Sequence, residues 1–203
     1  MTVNVQDILL QRAQSCGLNP DALRCNDIHL EPQRIRVLMI SEAPPANAQE
    51  GFYSNNPDAA DARSALQLLR DGGIQADSMQ ALLQQGIYVT TAVKSPKAGL
   101  FVDDAVLLAH QPLLEAELDL FPNLRVVMLM GDVAKKSFNR IARARTGKSA
   151  IPSGATYKLR SQSFESMGLR VFPSYILSGA NLKIEKSKGE MIVEDISKMK
   201  LML

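Results

Sequence analysis

The chain has 203 residues, 46% of them hydrophobic and 22% charged, with a formal net charge of +2. That length can bury the core of one α/β domain, and the polarity is ordinary for a globular protein. No apolar run reaches the roughly 18 residues that a membrane span needs, and two cysteines, Cys16 and Cys25, are too few for a disulfide framework and favour a reducing, cytoplasmic setting. The first residues lack a basic start and a long apolar stretch, so no signal peptide is expected.

Val5, Ile8, Leu9 and Ala13 recur at helical spacing and predict a short helix over 5–16. A loop comes next, with a turn of helix after Asn19-Pro20. The run IRVLMI (35–40) reads as a strand covered on both faces. An amphipathic helix is expected over 58–71, stopping at Gly72-Gly73, and another over 77–85 with Asp77 as its cap. GIYVTTAV (86–93) is a second strand, and 102–120 a long helix that turns Leu107, Leu108, Leu114 and Leu118 to a core. RVVMLMG (125–131) is a third strand, succeeded at once by a helix over 132–144. Residues 145–170 are loop-rich with a hairpin, LRVFPSYIL (169–177) is a fourth strand, and 188–203 a closing helix. Strands alternate with helices, which predicts a three-layer α/β/α domain with a mostly parallel central sheet of about four strands. In such sheets ligands bind outside the carboxyl ends of the strands. That rule gathers Glu42, Thr91, Gly131 and the residues after Phe172 into one neighbourhood.

Glu42 sits just beyond the first strand, before Pro44 and Pro45, which fix the chain direction and remove two donors. Its carboxylate either faces the crevice or caps the helix or loop that follows. Thr90 and Thr91 suit a strand by packing alone, and Lys94 before Ser95-Pro96 is either a crevice cation or solvated. Gly147-Lys148-Ser149 is not the end of a phosphate loop: position 142 is Ala142, and a helix precedes it instead of a strand. His29 and His110 are the only histidines, and with Cys16 and Cys25 they make no zinc spacing. A nucleophile elbow is also missing.

Charge is unevenly spread. Lys135, Lys136, Arg140, Arg143, Arg145, Lys148, Lys158, Arg160 and Arg170 fall in one segment that has a single acid, Glu165. It is either a solvated face or a patch that meets phosphates.

Five pieces in order resemble the uracil-DNA glycosylase superfamily, nearest its iron–sulfur-containing branch. ISEAPPA stands where that branch has Gly-Glu-(Ala/Gly)-Pro-Gly, and EGFYSN where it has Gly-x-Pro-Phe. TAVKSPK matches Asn-x-x-Lys-Cys-x-Pro, LRVVMLMGDVAKKSF matches the strand–Gly–helix, and VFPSYILSGANL matches the strand leading to His-Pro-Ser. The match runs over about residues 35–182. The departures are Ser41 and Pro45 at glycine positions and Thr91 for the asparagine that reads the base. No histidine falls on the last motif: aligned on its proline the position is Phe172, and aligned on its serine it is Ile176, with Ser178 as that serine. Ser95 and His110 replace two cluster cysteines, so no iron–sulfur cluster and no other cofactor is expected.

The resemblance implies a single uracil-DNA-glycosylase-like domain over 1–203 that cuts the bond between deoxyribose and a base flipped from DNA. It assigns Glu42 to catalysis and Phe52, Tyr53, Thr91, Ile176 and Ser178 to the base. Lys94, Lys135, Lys136, Arg140, Arg143, Arg145 and Lys148 would meet DNA. Phe52 and Tyr53 either stack on the base or belong to the core. DNA is the expected partner, with no membrane. A non-catalytic nucleic-acid or nucleotide binder, and an enzyme acting on a free nucleoside, are the alternatives.

Overall fold

The computed structural model describes residues 1–99, 101–177 and 186–203. The strands are β1 (Val3–Asn4), β2 (His29–Leu30), β3 (Val37–Ser41), β4 (Ile87–Thr91), β5 (Val126–Met130), β6 (Phe164–Ser166) and β7 (Leu169–Ser174). The α-helices are α1 (Val5–Ser15), α2 (Ala60–Asp71), α3 (Met79–Gln84), α4 (Asp104–Leu120), α5 (Asp132–Thr146), α6 (Thr156–Leu159) and α7 (Lys186–Lys200).

Every residue of β3, β4 and β5 is buried, because continuous apolar runs present side chains to both faces of the sheet. On one face Leu38 and Ile40 pack with Leu9 of α1, Leu107 and Leu114 of α4, and Phe138 of α5. On the other, Val37 and Met39 pack with Leu69 of α2, Leu82 of α3, and Ile192 and Ile196 of α7. The expected three layers are therefore present, with one apolar core on each side of the sheet.

Among the described residues the central sheet has five strands, in the order β4-β3-β5-β7-β6, not about four. The addition is β6, which pairs antiparallel with β7 as the hairpin read within 145–170. Met167 and Gly168 at its turn have φ of 54° and 75°, the left-handed pair that matches the twist of a two-residue hairpin. The other pairings are parallel. β4 lies on one side of β3 and β5 on the other, so the connection order reverses between β3 and β5, and a crevice opens at their carboxyl ends.

Two local expectations change. Ser78, not Asp77, caps α3, its hydroxyl accepting from the Ala81 amide. Leu108 is 58% exposed, while Leu107, Leu114 and Leu118 are buried. The buried stripe of α4 runs through Leu107, His110, Leu113, Leu114, Glu117 and Leu118, and Leu108 falls outside it. Among the described residues no helix is long and apolar enough to cross a membrane.

Candidate functional site

Glu42 comes directly after β3 and is 8% exposed. Its Oε1 accepts the Val133 amide of the first turn of α5 at 3.2 Å, and its Oε2 is ion-paired with the Lys97 ammonium. A helix N-terminus favours an anion through its unpaired amides and dipole. The carboxylate thus faces the crevice and caps α5 from there, not the helix or loop that follows it in the chain.

Gly131 makes this approach possible. It precedes α5 with φ 98°, and a Cβ there would lie 2.5 Å from Glu42 Oε1 and 2.9 Å from Ile176 Cγ1. Both the left-handed backbone and the lack of room require glycine. The Gly131 amide donates to the Ser174 carbonyl at 3.0 Å, which ties the end of β7 to the end of β5. Ser174 is held from below, its hydroxyl donating to Asp195 of α7 at 2.7 Å. Arg160 braces the same point, with Nη2 2.9 Å from Asp195 and 2.8 Å from Glu194. Burial raises the Asp195 carboxyl above its usual range, against the pull of Arg160 and Ser174.

Glu42 and Ile176 line a cavity of about 540 Å³ with Gly131, Asp132, Thr156, Tyr157, Tyr175 and Lys188. Tyr157 is 68% exposed at its mouth, and the Lys188 ammonium lies 5.6 Å from the centre of the Tyr175 ring. A second groove of about 490 Å³ is lined by Lys135, Lys136, Arg140 and Arg143, together with Asp104 and Asp132. Asp132 and Gly154 border both, so the carboxylate cavity and the cationic groove adjoin.

The residues picked out from the sequence divide. Glu42 and Ile176 meet in the cavity, whereas Phe172 is buried under Arg170 in the core between the sheet and α7. Lys136, Arg140 and Arg143 line the groove. Lys135 borders it too, but its ammonium is committed to Asp132 at 2.6 Å and Thr156 at 2.9 Å, pinning the start of α6 onto α5. Arg145 does not line the groove: it makes a two-pronged pair with Asp119 of α4 at 2.8 and 2.9 Å. Lys148 is exposed and lines neither cavity. Ser178 lies outside the described residues.

Four assignments need correction. Lys94 is 1% exposed, with Nζ 2.6 Å from Glu117 and 2.7 Å from both Thr90 Oγ1 and the Thr91 carbonyl, so it cannot reach DNA. Phe52 is 5% exposed in the core beside Met39 and Leu66. Tyr53 packs on Tyr88, and its hydroxyl accepts the Val89 amide at the open edge of β4. Both rings border a separate cavity across the Pro44-Pro45 turn, away from the carboxylate of Glu42. Thr91 is buried opposite Ser41 and does not line the Glu42 cavity.

Sequence reasoning missed Lys97, Tyr157 and Tyr175 as site residues. Lys97 and Tyr175 stand inside the motif segments TAVKSPK and VFPSYILSGANL, just past strand ends, which is the signal that finds them. Nothing in the pattern marks Tyr157.

The iron–sulfur cluster of the resembling branch does not fit this chain. Ser95 Oγ and His110 Nε2 lie 3.4 Å apart, and His110 Nδ1 accepts the Lys94 amide at 2.8 Å. A cluster of that kind takes four thiolates, and this chain has two cysteines in all, Cys16 exposed and Cys25 half-buried with its thiol pushed up to about 11 by burial.

The family model of the uracil DNA glycosylase superfamily matches residues 28–200. Among solved structures, the chain is similar to the wild-type UNG from Nitratifractor salsuginis, with 12% identity, 82% of this chain and 75% of that chain covered, and a TM-score of 0.39. It is also similar to a point mutant of that UNG, with 12% identity, 81% and 76% covered, and a TM-score of 0.39. No curated protein matches. The family match takes in every element that meets at the Glu42 cavity, from β3 through α5 and β7 to α7, and the chain belongs to the uracil DNA glycosylase superfamily.

Proposed function

We infer that this protein, residues 1–203 acting as one domain, hydrolyses the N-glycosidic bond of a damaged or deaminated base flipped from DNA. Glu42 is the carboxylate that steadies the cation-like sugar and takes a proton from the attacking water, as a carboxylate does in sugar hydrolysis. Its two oxygens offer about four lone-pair sites, so the bonds from Val133 and Lys97 leave room for a water. Tyr157 and Tyr175 replace Phe52 and Tyr53 as rings for the base, and stacking of this kind is worth about 1–3 kcal/mol per base. Lys136, Arg140 and Arg143 hold the flanking phosphates. Ile176 makes the base wall apolar, which favours a less polar or bulkier base than uracil.

The observation that carries this reading is the adjacency of the Glu42 cavity and the cationic groove through Asp132 and Gly154. A flipped nucleotide needs that pairing: a concave site for the base and cations beside it for its phosphates. The test is strand scission after alkali, using duplex and single-stranded oligonucleotides that carry uracil, hypoxanthine, xanthine or hydroxymethyluracil. Wild-type protein should open an abasic site on at least one of them, and Glu42→Gln should lower that rate by about 10² or more. No product from any base, or a Glu42→Gln variant as fast as wild type, overturns the reading.

A non-catalytic binder is the second reading, and the engagement of both Glu42 oxygens favours it. It predicts oligonucleotide binding that falls steeply with salt, weakens on Arg143→Glu, and yields no product.

A further inference from the structure

We propose that Lys97 is the acid of this site: it takes up the charge of the departing base and returns the system to its starting state through its contact with Glu42. The proposal rests on the hydrolytic reading above and assigns the half of the reaction that Glu42 cannot perform. A base leaves as an anion, and a positioned donor at that point is worth about 10²–10³ in rate. The wall formed by Ile176 is apolar and supplies none.

Lys97 enters from the opposite side, on the segment after β4. Three residues earlier the chain is anchored in the core: the Lys94 amide donates to His110 and its ammonium to Glu117. With Lys94 fixed and Pro96 stiffening the exit, Lys97 is directed back over the end of β3 onto Glu42 Oε2. Its side chain is 28% exposed and that of Glu42 11%, so the ammonium lies on the solvent side of the carboxylate. Both border a small recess with Ser41, Pro44, Pro45 and Ile176, and this recess meets the cavity of Tyr157 and Tyr175 at Glu42 and Ile176, which line both. An ammonium has three donors, and Glu42 takes one of them.

The proton and electron count closes. The bond from C1′ to the base nitrogen breaks, and its electron pair stays on the base, spread toward the carbonyl oxygens. Lys97 donates a hydrogen bond there and passes its proton to the base. Water adds to C1′ and gives its own proton to Glu42. The site is left with a protonated carboxyl touching a neutral amine, and one proton transfer between them restores carboxylate and ammonium.

The test is a leaving-group comparison. Single-turnover cleavage is measured on oligonucleotides carrying uracil or 5-fluorouracil, whose anion is the more stable and needs less help. Lys97→Met should cost about 10² or more on uracil and at least about tenfold less on 5-fluorouracil. Lys97→Arg keeps the charge and the pairing with Glu42 but holds its protons. It should stay near wild type on 5-fluorouracil and lose rate on uracil. Thermal melting of both variants accompanies the rates, and Lys97→Arg keeps the test usable should Lys97→Met unfold. A Lys97 that merely positions Glu42 would give equal losses on the two bases, and that result, or a wild-type rate for Lys97→Met, overturns the proposal alone. Wild-type protein that cleaves neither base overturns this proposal, whereas the hydrolytic reading falls only if hypoxanthine, xanthine and hydroxymethyluracil also give no product.

Discussion

Lys94 and Lys97 stand three residues apart and end in opposite settings. Lys97 lies at the crevice, whereas Lys94 is shut in with Glu117, whose Oε1 also accepts the Tyr88 and Thr90 hydroxyls at 2.7 Å each. A buried pair of this kind is held by its full set of hydrogen bonds, and removing one partner strands the other charge at a cost of about 3–5 kcal/mol. Lys94→Met should therefore lower the unfolding free energy by about that amount. Lys94→Met combined with Glu117→Leu should cost less than Lys94→Met alone, because the double change leaves no bare charge. Chemical denaturation of the two variants checks the order, and a double variant less stable than the single one would contradict it.

At the level of strands and helices, the junction from β5 to α5 is the tightest point of the site. Gly131→Ala would force a side chain against Glu42 and Ile176 from a left-handed backbone, a conformation that costs about 1–3 kcal/mol for other residues. We expect a lower melting temperature and a cleavage rate that drops toward that of Glu42→Gln. A melting curve and single-turnover rates measure the two effects. This junction was legible in the sequence, since an apolar run ending in glycine before a helix marks a crevice end. So was Glu42, just past its strand. The fate of Lys94 was not, because its partner is 23 residues away and local pattern is silent on long-range pairing. Nor were the rings of Phe52 and Tyr53: spacing places aromatics near the Pro44-Pro45 turn without saying on which side of it they fall. Tyr157 sits on the four-residue helix α6, too short to have a readable period. The strand count was short by one because β6 is a three-residue edge strand with half-exposed side chains, which leaves no apolar run to detect.

Taken whole, the molecule divides its charge: the segment from Lys135 to Arg170 is strongly basic while the full chain has a net charge of only +2. Arg140, Arg145 and Arg160 are paired with acids of the chain itself, so the segment presents fewer unpaired cations than the sequence suggests. Stability of the whole fold should also respond to His110. Burial, and then the nearby Lys94 charge, hold its imidazole below the ordinary value of 6.5. As pH falls through 6.5 the unfolded chain takes up a proton that the native chain refuses, so stability is retained above that value and lost below it. Melting temperatures on either side of pH 6.5 should show this decline, and His110→Asn should flatten it. The outer margin of the sheet has its own consequence. The Val89 amide is taken by Tyr53 and the Val89 carbonyl by Asn26, so the middle of β4 is stoppered by the chain's own side groups. A bare margin is a template on which a neighbouring copy adds its own strand, and copy upon copy makes a fibre. At Val89 the Tyr53 hydroxyl and the Asn26 amide leave a second copy no free main-chain group to pair with.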